Sequence, residues 1–270
     1  MTFRSRDFEV TLSKPDIHKK WSQSFRSIES ESFYRNAISK IAEVVDFRSG
    51  KKLLDAGCGT CSQSIRLARY KIQITAIDKS SYAIEQARNI IYQEQLQGDI
   101  NILEQDIEKL IFDKSTFEYV FCWGTIMHIP EVEAAISELV RVLKGGGFLI
   151  ISEGNMRSLQ SLIQERYIRL SSDELIVTKT SKQGLEIFDK RSGDLVFRRH
   201  ADIEWLKDFV CSMGFSVEAL MPGQFTELHT KFRSKYIRKM VHFFNKNWFR
   251  FGSAKYAFGN IIIFRKNQQS

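Results

Sequence analysis

The chain has 270 residues, 43% of them hydrophobic, and a net charge of +8. That is enough for one large α/β domain or two small ones, and no apolar run approaches the ~20 residues of a membrane-spanning helix. The first residues, Met1 to Glu9, contain no apolar core of a signal peptide. Four cysteines are too few for a disulfide scaffold, so a cytoplasmic location is expected.

Residues 1–20 mix charged and apolar side chains without a period and read as a loosely held arm. From Glu31 to Val45, Phe33, Ala37, Ile41, Val44 and Val45 share one helical face. Next, Leu53-Leu54 is a short strand-type run that ends at Asp55, and Gly57, Cys58 and Gly59 make a tight turn before a helix from Cys61 to Arg69. Strand, glycine turn and helix make half of a βαβ unit. The glycines let backbone approach a ligand closely, and the helix directs free N–H groups into the same space. The spacing Asp-x-Gly-x-Gly lacks the third glycine of a dinucleotide fingerprint. No Gly-Lys-Ser/Thr follows for a triphosphate, and Asp55 would repel a phosphate but suit a cation. Cys58 and Cys61 have CxxC spacing without a second pair, so no metal is expected.

Lys71 to Ile77 reads as the second strand, with Asp78 at its end, 19 residues after Gly59. A carboxylate there can accept hydrogen bonds from two ribose hydroxyls; the alternative is a helix cap, a role Ser80 or Ser81 could fill. A helix over 81–91 precedes a third strand over 100–105, which ends at Asp106-Ile107. Phe117 to Trp123 is a fourth strand, apolar on both faces. After Gly124 comes the loop Thr125-Ile-Met-His-Ile-Pro130, then a helix from Glu131 to Leu143 that Lys144–Gly147 ends. Phe148 to Ser152 is the fifth strand, with Glu153, Gly154 and Asn155 at the edge where ligands gather in open α/β sheets. Runs at 174–180, 185–188 and 195–199, separated by turns at Gln183-Gly184 and Ser192–Asp194, predict a β-hairpin or meander. A helix over 201–213 closed by Gly214, a strand over 215–220, a basic aromatic helix over 231–244 and a strand over 257–264 complete the chain.

Leu53-Leu-Asp-Ala-Gly-Cys-Gly-Thr60 resembles the first motif of the class I S-adenosylmethionine-dependent methyltransferases. Asp78-Lys-Ser-Ser-x-x-Ile-Glu-x-Ala is similar to the second. The resemblance, to the small-molecule, type 11-like members, covers residues 31–153 well and the rest loosely. It implies an α/β Rossmann-like sheet of seven strands in the order 3-2-1-4-5-7-6, strand seven antiparallel, with helices on both faces. The whole chain, 1–270, would be one domain. Residues 1–45 would be an arm and lid helix, 171–200 a β-insert over the substrate, and 223–256 a basic aromatic segment. The implied cofactor is S-adenosylmethionine, with S-adenosylhomocysteine as product. Its contacts would come from Asp55, Gly57, Cys58, Gly59, Asp78, Lys79, Asp106, Ile107, Cys122 and Trp123. Asp106 would lie beside the adenine amino group, Ile107 against the ring, and the end of the fourth strand beside the methionine part. Trp21, Phe25, Tyr34 and Arg35 are candidates to cover the cofactor. His128 matches the x-x-x-His-Ile/Leu-Pro pattern of small-molecule members; it is either a general base or a histidine that orients its loop. Glu153 and His200 stand behind it as candidate bases.

The expected reaction is methyl transfer to a small acceptor, a hydroxyl ahead of carbon or nitrogen, on a sugar, lipid-linked or natural-product molecule. The alternatives are a nucleic-acid methyltransferase and a silent cofactor-binding module. Against the former, the fourth strand lacks an Asp/Asn-Pro-Pro-aromatic loop and Cys122 is not followed by proline; the intact motif residues oppose the latter. Residues 223–270 hold ten Lys/Arg and one acid, Glu227, whereas the other 222 residues nearly balance. This charge fits an anionic acceptor, a peripheral anionic membrane surface or, less well, nucleic acid; a solvated face is the alternative. Eleven aromatics interleave with it, so a folded lobe is expected, most rings packed inward and the Lys and Arg heads outward.

Overall fold

The computed structural model describes residues 28–170, 176–190, 196–227 and 234–268. The expected arm over 1–20, Trp21, Phe25, the Ser192–Asp194 turn, Lys231 and Phe232 lie outside these residues. Helix α1 (Ile28–Val45) leads into β1 (Lys52–Ala56), α2 (Ser62–Ala68), β2 (Gln73–Asp78), α3 (Ser81–Gln93), β3 (Ile100–Glu104) and β4 (Phe117–Trp123). A 3-10 turn (Ile126–His128) precedes α4 (Val132–Val142), β5 (Leu143–Gly154) and α5 (Leu159–Leu170). Three short strands follow: β6 (Ile176–Ser181), β7 (Gly184–Asp189) and β8 (Val196–Ala201). The chain continues through α6 (Ile203–Ser212), β9 (Phe215–Pro222), α7 (Lys235–Phe251) and β10 (Gly259–Lys266).

The main sheet has the order β3-β2-β1-β4-β5-β10-β9. The first five strands pair in parallel, and β10 runs antiparallel to both neighbours. This is the order the resemblance implies, with β9 and β10 as sixth and seventh strands. The period of two sets the layers. Leu54, Val120, Cys122, Leu149 and Ile151 pack on Ile136 and Leu139 of α4 and Leu206 and Val210 of α6. Leu53, Ile74, Phe121 and Ile150 pack on the other face against Ile38 and Ile41 of α1, Leu67 of α2, Ile91 of α3 and Phe249 of α7. Because both faces are covered, the central strands carry no polar alternation, in keeping with a parallel sheet.

Three elements depart from the expectation. The glycines after Lys144 do not merely end a helix: β5 already begins at Leu143 and runs through them. A Cβ on Gly147 would lie 2.6 Å from the Glu118 carbonyl oxygen, so this strand end needs glycine for two backbones to meet. Helix α5 is unexpected, since its buried side is small, Ser161 and Ile168, while its large apolar residues face out. Helix α7 lies later than the expected 231–244, at Lys235–Phe251.

Strands β6, β7 and β8 form a separate antiparallel meander, as the turn signals at Gln183-Gly184 suggest. Arg199 of β8, only 3% exposed, ties this sheet to the loop after β4. Its Nη1 donates to the Ile129 carbonyl at 2.9 Å and its Nη2 to that of Pro130 at 3.0 Å. Glu186 of β7 faces the same guanidinium at 3.4 Å. Burial works against this charge, and Glu186 opposes that effect. Arg199→Met should therefore leave Glu186 and two carbonyls without their cation and cost about 3–5 kcal/mol. Urea unfolding reads this, and a loss under about 1 kcal/mol, the range of a surface pair, would refute the tie.

Candidate active site

The C-terminal ends of β1 to β5 share one edge of the sheet, and most of the expected site residues meet there. The turn after β1 is pinned to β2. The amides of Gly57 and Cys58 both donate to the Ile77 carbonyl at 2.8 Å. Gly59 N donates to Asp78 Oδ2 at 2.9 Å, and Ser80 N donates to Asp78 Oδ1 at 2.9 Å. The cap of α3 is Ser80, whose Oγ accepts from Ala83 N. Asp78 thus holds the glycine turn, and the cap role falls to its neighbour.

Gly57 and Gly59 have φ of +78° and +53°, a left-handed region that favours glycine. They differ in surroundings. A Cβ on Gly57 would collide with the Thr125 side chain, whereas one on Gly59 would meet nothing within 4 Å. Gly57 is therefore a packing glycine, and the space over Gly59 is room for a ligand. Cys61 also has a positive φ, +59°, directly before α2, and is fully buried.

Asp55 lies beneath the turn, buried, with Ser64 Oγ of α2 donating to its Oδ2 at 2.5 Å. Burial pushes its carboxyl up to about 7; the Ser64 bond opposes this and the Asp78 charge adds to it. Asp106 and Lys79 face each other at 2.8 Å across the ends of β2 and β3, and Ile107 is buried beside them. Cys58 is partly exposed, and its thiol is raised by a bond with Cys61 and by burial. Cys122 is fully buried in β4, and burial, with the charges of Glu153 and Asp55, pushes its thiol up. Trp123, at the mouth, stacks on Phe121 at 5.7 Å and meets the edge of Tyr34 at 5.9 Å. Of the proposed cover, Tyr34 reaches the site, while Arg35 turns to Glu31 at 2.6 Å.

The candidate bases sit on the other side of β4. His128 ends the 3-10 turn, and its Nδ1 lies 3.1 Å from the Phe197 carbonyl of β8. A carbonyl only accepts, so Nδ1 carries the proton that the ring donates to Phe197. Glu153, near the end of β5, is 3% exposed, and neither carboxyl oxygen has a partner in hydrogen-bond geometry. Burial pushes it up to about 8, although the nearby amides of Met127, Ile126 and Thr125 and the Arg199 charge act against this. His200 is away from the mouth: buried, edge-on to Phe258, with Nδ1 2.9 Å from Ser161 Oγ of α5. Burial lowers it to about 3, which leaves it neutral.

Thr125 and Arg199 were not among the sequence candidates. Thr125 Oγ1 lies 3.3 Å from the carbonyls of both Gly57 and Trp123, joining the two loops that frame the site. A threonine after Gly124 carries no local signal of that seat.

Residues 54–151 match a protein family described as Methyltransferase domain. Over this stretch the chain is similar to the class I S-adenosylmethionine-dependent methyltransferases. It is similar to a sterol 24-C-methyltransferase of Gibberella zeae, 29% identical over 164 residues, 57% of this chain and 43% of that protein. A ubiquinone biosynthesis O-methyltransferase of Coxiella burnetii is 36% identical over 106 residues, 39% of this chain and 44% of that protein. The chain thus spans less than half the length of these curated relatives. The magnesium protoporphyrin IX methyltransferase of Synechocystis PCC 6803, solved with bound SAH, shares the fold with a TM-score of 0.61 at 15% identity, over 91% of this chain and 87% of that one. The methyltransferase match runs from β1 to β5, the strands whose ends carry the glycine turn, Asp78, Trp123 and Glu153.

Glu153 gives the site a pH signature. Its folded value, about 8, stands above the ordinary 4.5, so the folded state holds a proton that the unfolded chain has lost. Stability then falls as pH rises from 4.5 towards 8. Asp55, at about 7, contributes in the lower part of that window, and His200 acts with opposite sign below 6.5. Between pH 7 and 8 the parent should lose stability, and Glu153→Gln should flatten that slope in urea titrations. Equal slopes would place the Glu153 carboxyl near its ordinary value.

Proposed function

We propose that the chain transfers the methyl group of S-adenosylmethionine to the hydroxyl of a small acceptor. The observation that carries this is the pairing of a glycine turn, open above Gly59 and held by Asp78, with His128, whose Nδ1 donates to the Phe197 carbonyl. The residues fit the cofactor. The open face of Gly59 would admit it, Asp78 would accept from its ribose hydroxyls, Asp106 and Ile107 would take the adenine, and Trp123, with the backbone of the buried Cys122, would border the methionine end. Asp55, Cys58, Gly57 and Lys79 shape that cradle from beneath and beside it. When bound, the sulfonium supplies an already activated methyl group.

The protein then has to orient the acceptor, exclude water and receive one proton. His128 Nε2 takes the acceptor's hydroxyl proton, and the Phe197 carbonyl fixes the ring for it. Glu153 lies buried beneath the 125–128 turn, its carboxyl pushed up by burial. His200, neutral and enclosed, holds α5 to β8. A sterol carbon and a ubiquinone-pathway oxygen are acceptors in the relatives' names. For this chain the oxygen reading rests on the placement of His128 as a proton acceptor, because carbon methylation of an alkene generates no hydroxyl proton.

Two measurements test the reading. Asp78→Ala should weaken S-adenosylmethionine binding in calorimetry by roughly 1.5–3 kcal/mol per lost charged hydrogen bond, and unchanged affinity would assign Asp78 to the turn alone. His128→Ala should lower turnover ~100- to 10,000-fold with cofactor affinity preserved. Near-parental turnover would remove His128 as the base.

A further inference from the structure

Most rings of residues 223–270 are expected to turn inward, as Phe258 and Phe264 do, and on α7 the reverse holds. Tyr236, Met240, Phe243 and Phe251 are 86%, 65%, 70% and 76% exposed. At ~100° per residue they fall within one band of about 80° on the outer side of the helix. Lys235, Lys239, Lys246 and Arg250 run along one edge of that band. The helix contains no acidic residue at all. Its inward side is anchored: Phe249 packs edge-on against Phe33 at 5.3 Å, and Asn245 exchanges bonds with the backbone of Thr226 at 3.1 and 2.8 Å. The exposed band is thus held on a docked helix rather than on a fraying end.

Helix α5 has the same property. Leu159, Ile163, Tyr167 and Leu170 face out, 49%, 60%, 72% and 75% exposed, opposite the buried Ser161 and Ile168. Both helices grip one short segment: Gln160 Oε1 of α5 accepts from Thr226 Oγ1 at 2.6 Å, while Asn245 of α7 holds the same residue's backbone. A monomeric soluble surface rarely leaves two such stripes bare.

We propose that the outward faces of α5 and α7 form one surface that docks on an anionic lipid bilayer. Charge selects this occupant. Residues 1–27 could be imagined to cover the stripes, but they carry six Lys/Arg against three Asp/Glu, so they bring like charge to α7. A second copy meeting the same face would set one acid-free basic helix on another. An anionic bilayer meets both demands, taking the rings at its interface and the Lys and Arg at its headgroups. Nucleic acid would meet the charge only, since Leu159, Ile163 and Leu170 offer no platform on which bases stack. Inward from this surface, rings in contact lead from Phe249 through Phe33 and Tyr34 to Trp123, at 5.3, 5.2 and 5.9 Å. The docked helix therefore adjoins the wall of the site, which favours an acceptor drawn from the lipid phase. That last consequence rests on the proposed activity; the docking does not.

The test is sedimentation of the full chain with phosphatidylcholine vesicles, with and without phosphatidylglycerol. The chain should pellet with the anionic vesicles and remain in solution with the neutral ones. Lys239→Glu with Lys246→Glu should lower partitioning at least about tenfold. Phe243→Ser with Phe251→Ser should lower it about tenfold at unchanged charge. Both pairs should bind S-adenosylmethionine in calorimetry as the parent does. If the ring pair fails to fold, Tyr236→Ser with Met240→Ser reads the same band. No pelleting with anionic vesicles would overturn the proposal. So would pelleting that the ring variants leave intact, or an RNA oligonucleotide that displaces the chain from vesicles. Vesicle binding by a chain that binds no S-adenosylmethionine would keep the docking and remove the proposed activity.

Discussion

The site depends on how the turn after β1 is fastened to the end of β2. Two amides share the Ile77 carbonyl, and a third meets the carboxylate of Asp78. The parallel register, Asp55 beside Ala76 and Ala56 beside Ile77, brings the turn over that strand end. Only a backbone that can take left-handed φ at two positions two residues apart in this arc makes all three bonds, and only glycine does so without strain. One carboxylate thereby serves two purposes: it fixes the turn through one oxygen and caps the backbone at Ser80 through the other.

A second group of contacts shapes the loop after β4 and comes from the three-stranded meander. Its strand β8 supplies both the carbonyl that orients His128 and the guanidinium that gathers the carbonyls of Ile129 and Pro130. The loop after β4 would otherwise carry these polar backbone groups into a poorly hydrated place without partners, at a cost of about 1–3 kcal/mol each. Burying Arg199 is itself costly, and the arrangement holds because Glu186 and two carbonyls meet the cation together. The position of His128 therefore depends on the meander.

The outer helices show how burial can divide one amphipathic pattern. Helix α7 uses Phe249 and Asn245 to sit on the domain and leaves Tyr236, Met240, Phe243 and Phe251 in the open. Composition alone argued that so many rings must be packed, because aromatic burial is the usual outcome. Helix α7 packs on α1, on β9 and on the segment around Thr226, and these contacts leave the outer part of its apolar arc uncovered.

Much of the molecule was legible in the chain itself. The strand type of Leu53-Leu54 and Phe117–Trp123, the Asp-x-Gly-x-Gly turn, the acid after the second strand and the β-runs in 171–200 are local signals. Each follows from side-chain periodicity or from the φ a glycine allows. The strand order, with β10 between β5 and β9, came from resemblance, because alternation of elements does not specify which strands are neighbours. Tertiary structure alone decided the rest. It divided two similar glycines, seating Thr125 against Gly57 and leaving space over Gly59. It enclosed His200 and Glu153, and it turned the stripes of α5 and α7 outward. These outcomes depend on which surfaces meet across long sequence separations, and no window of local sequence contains that information.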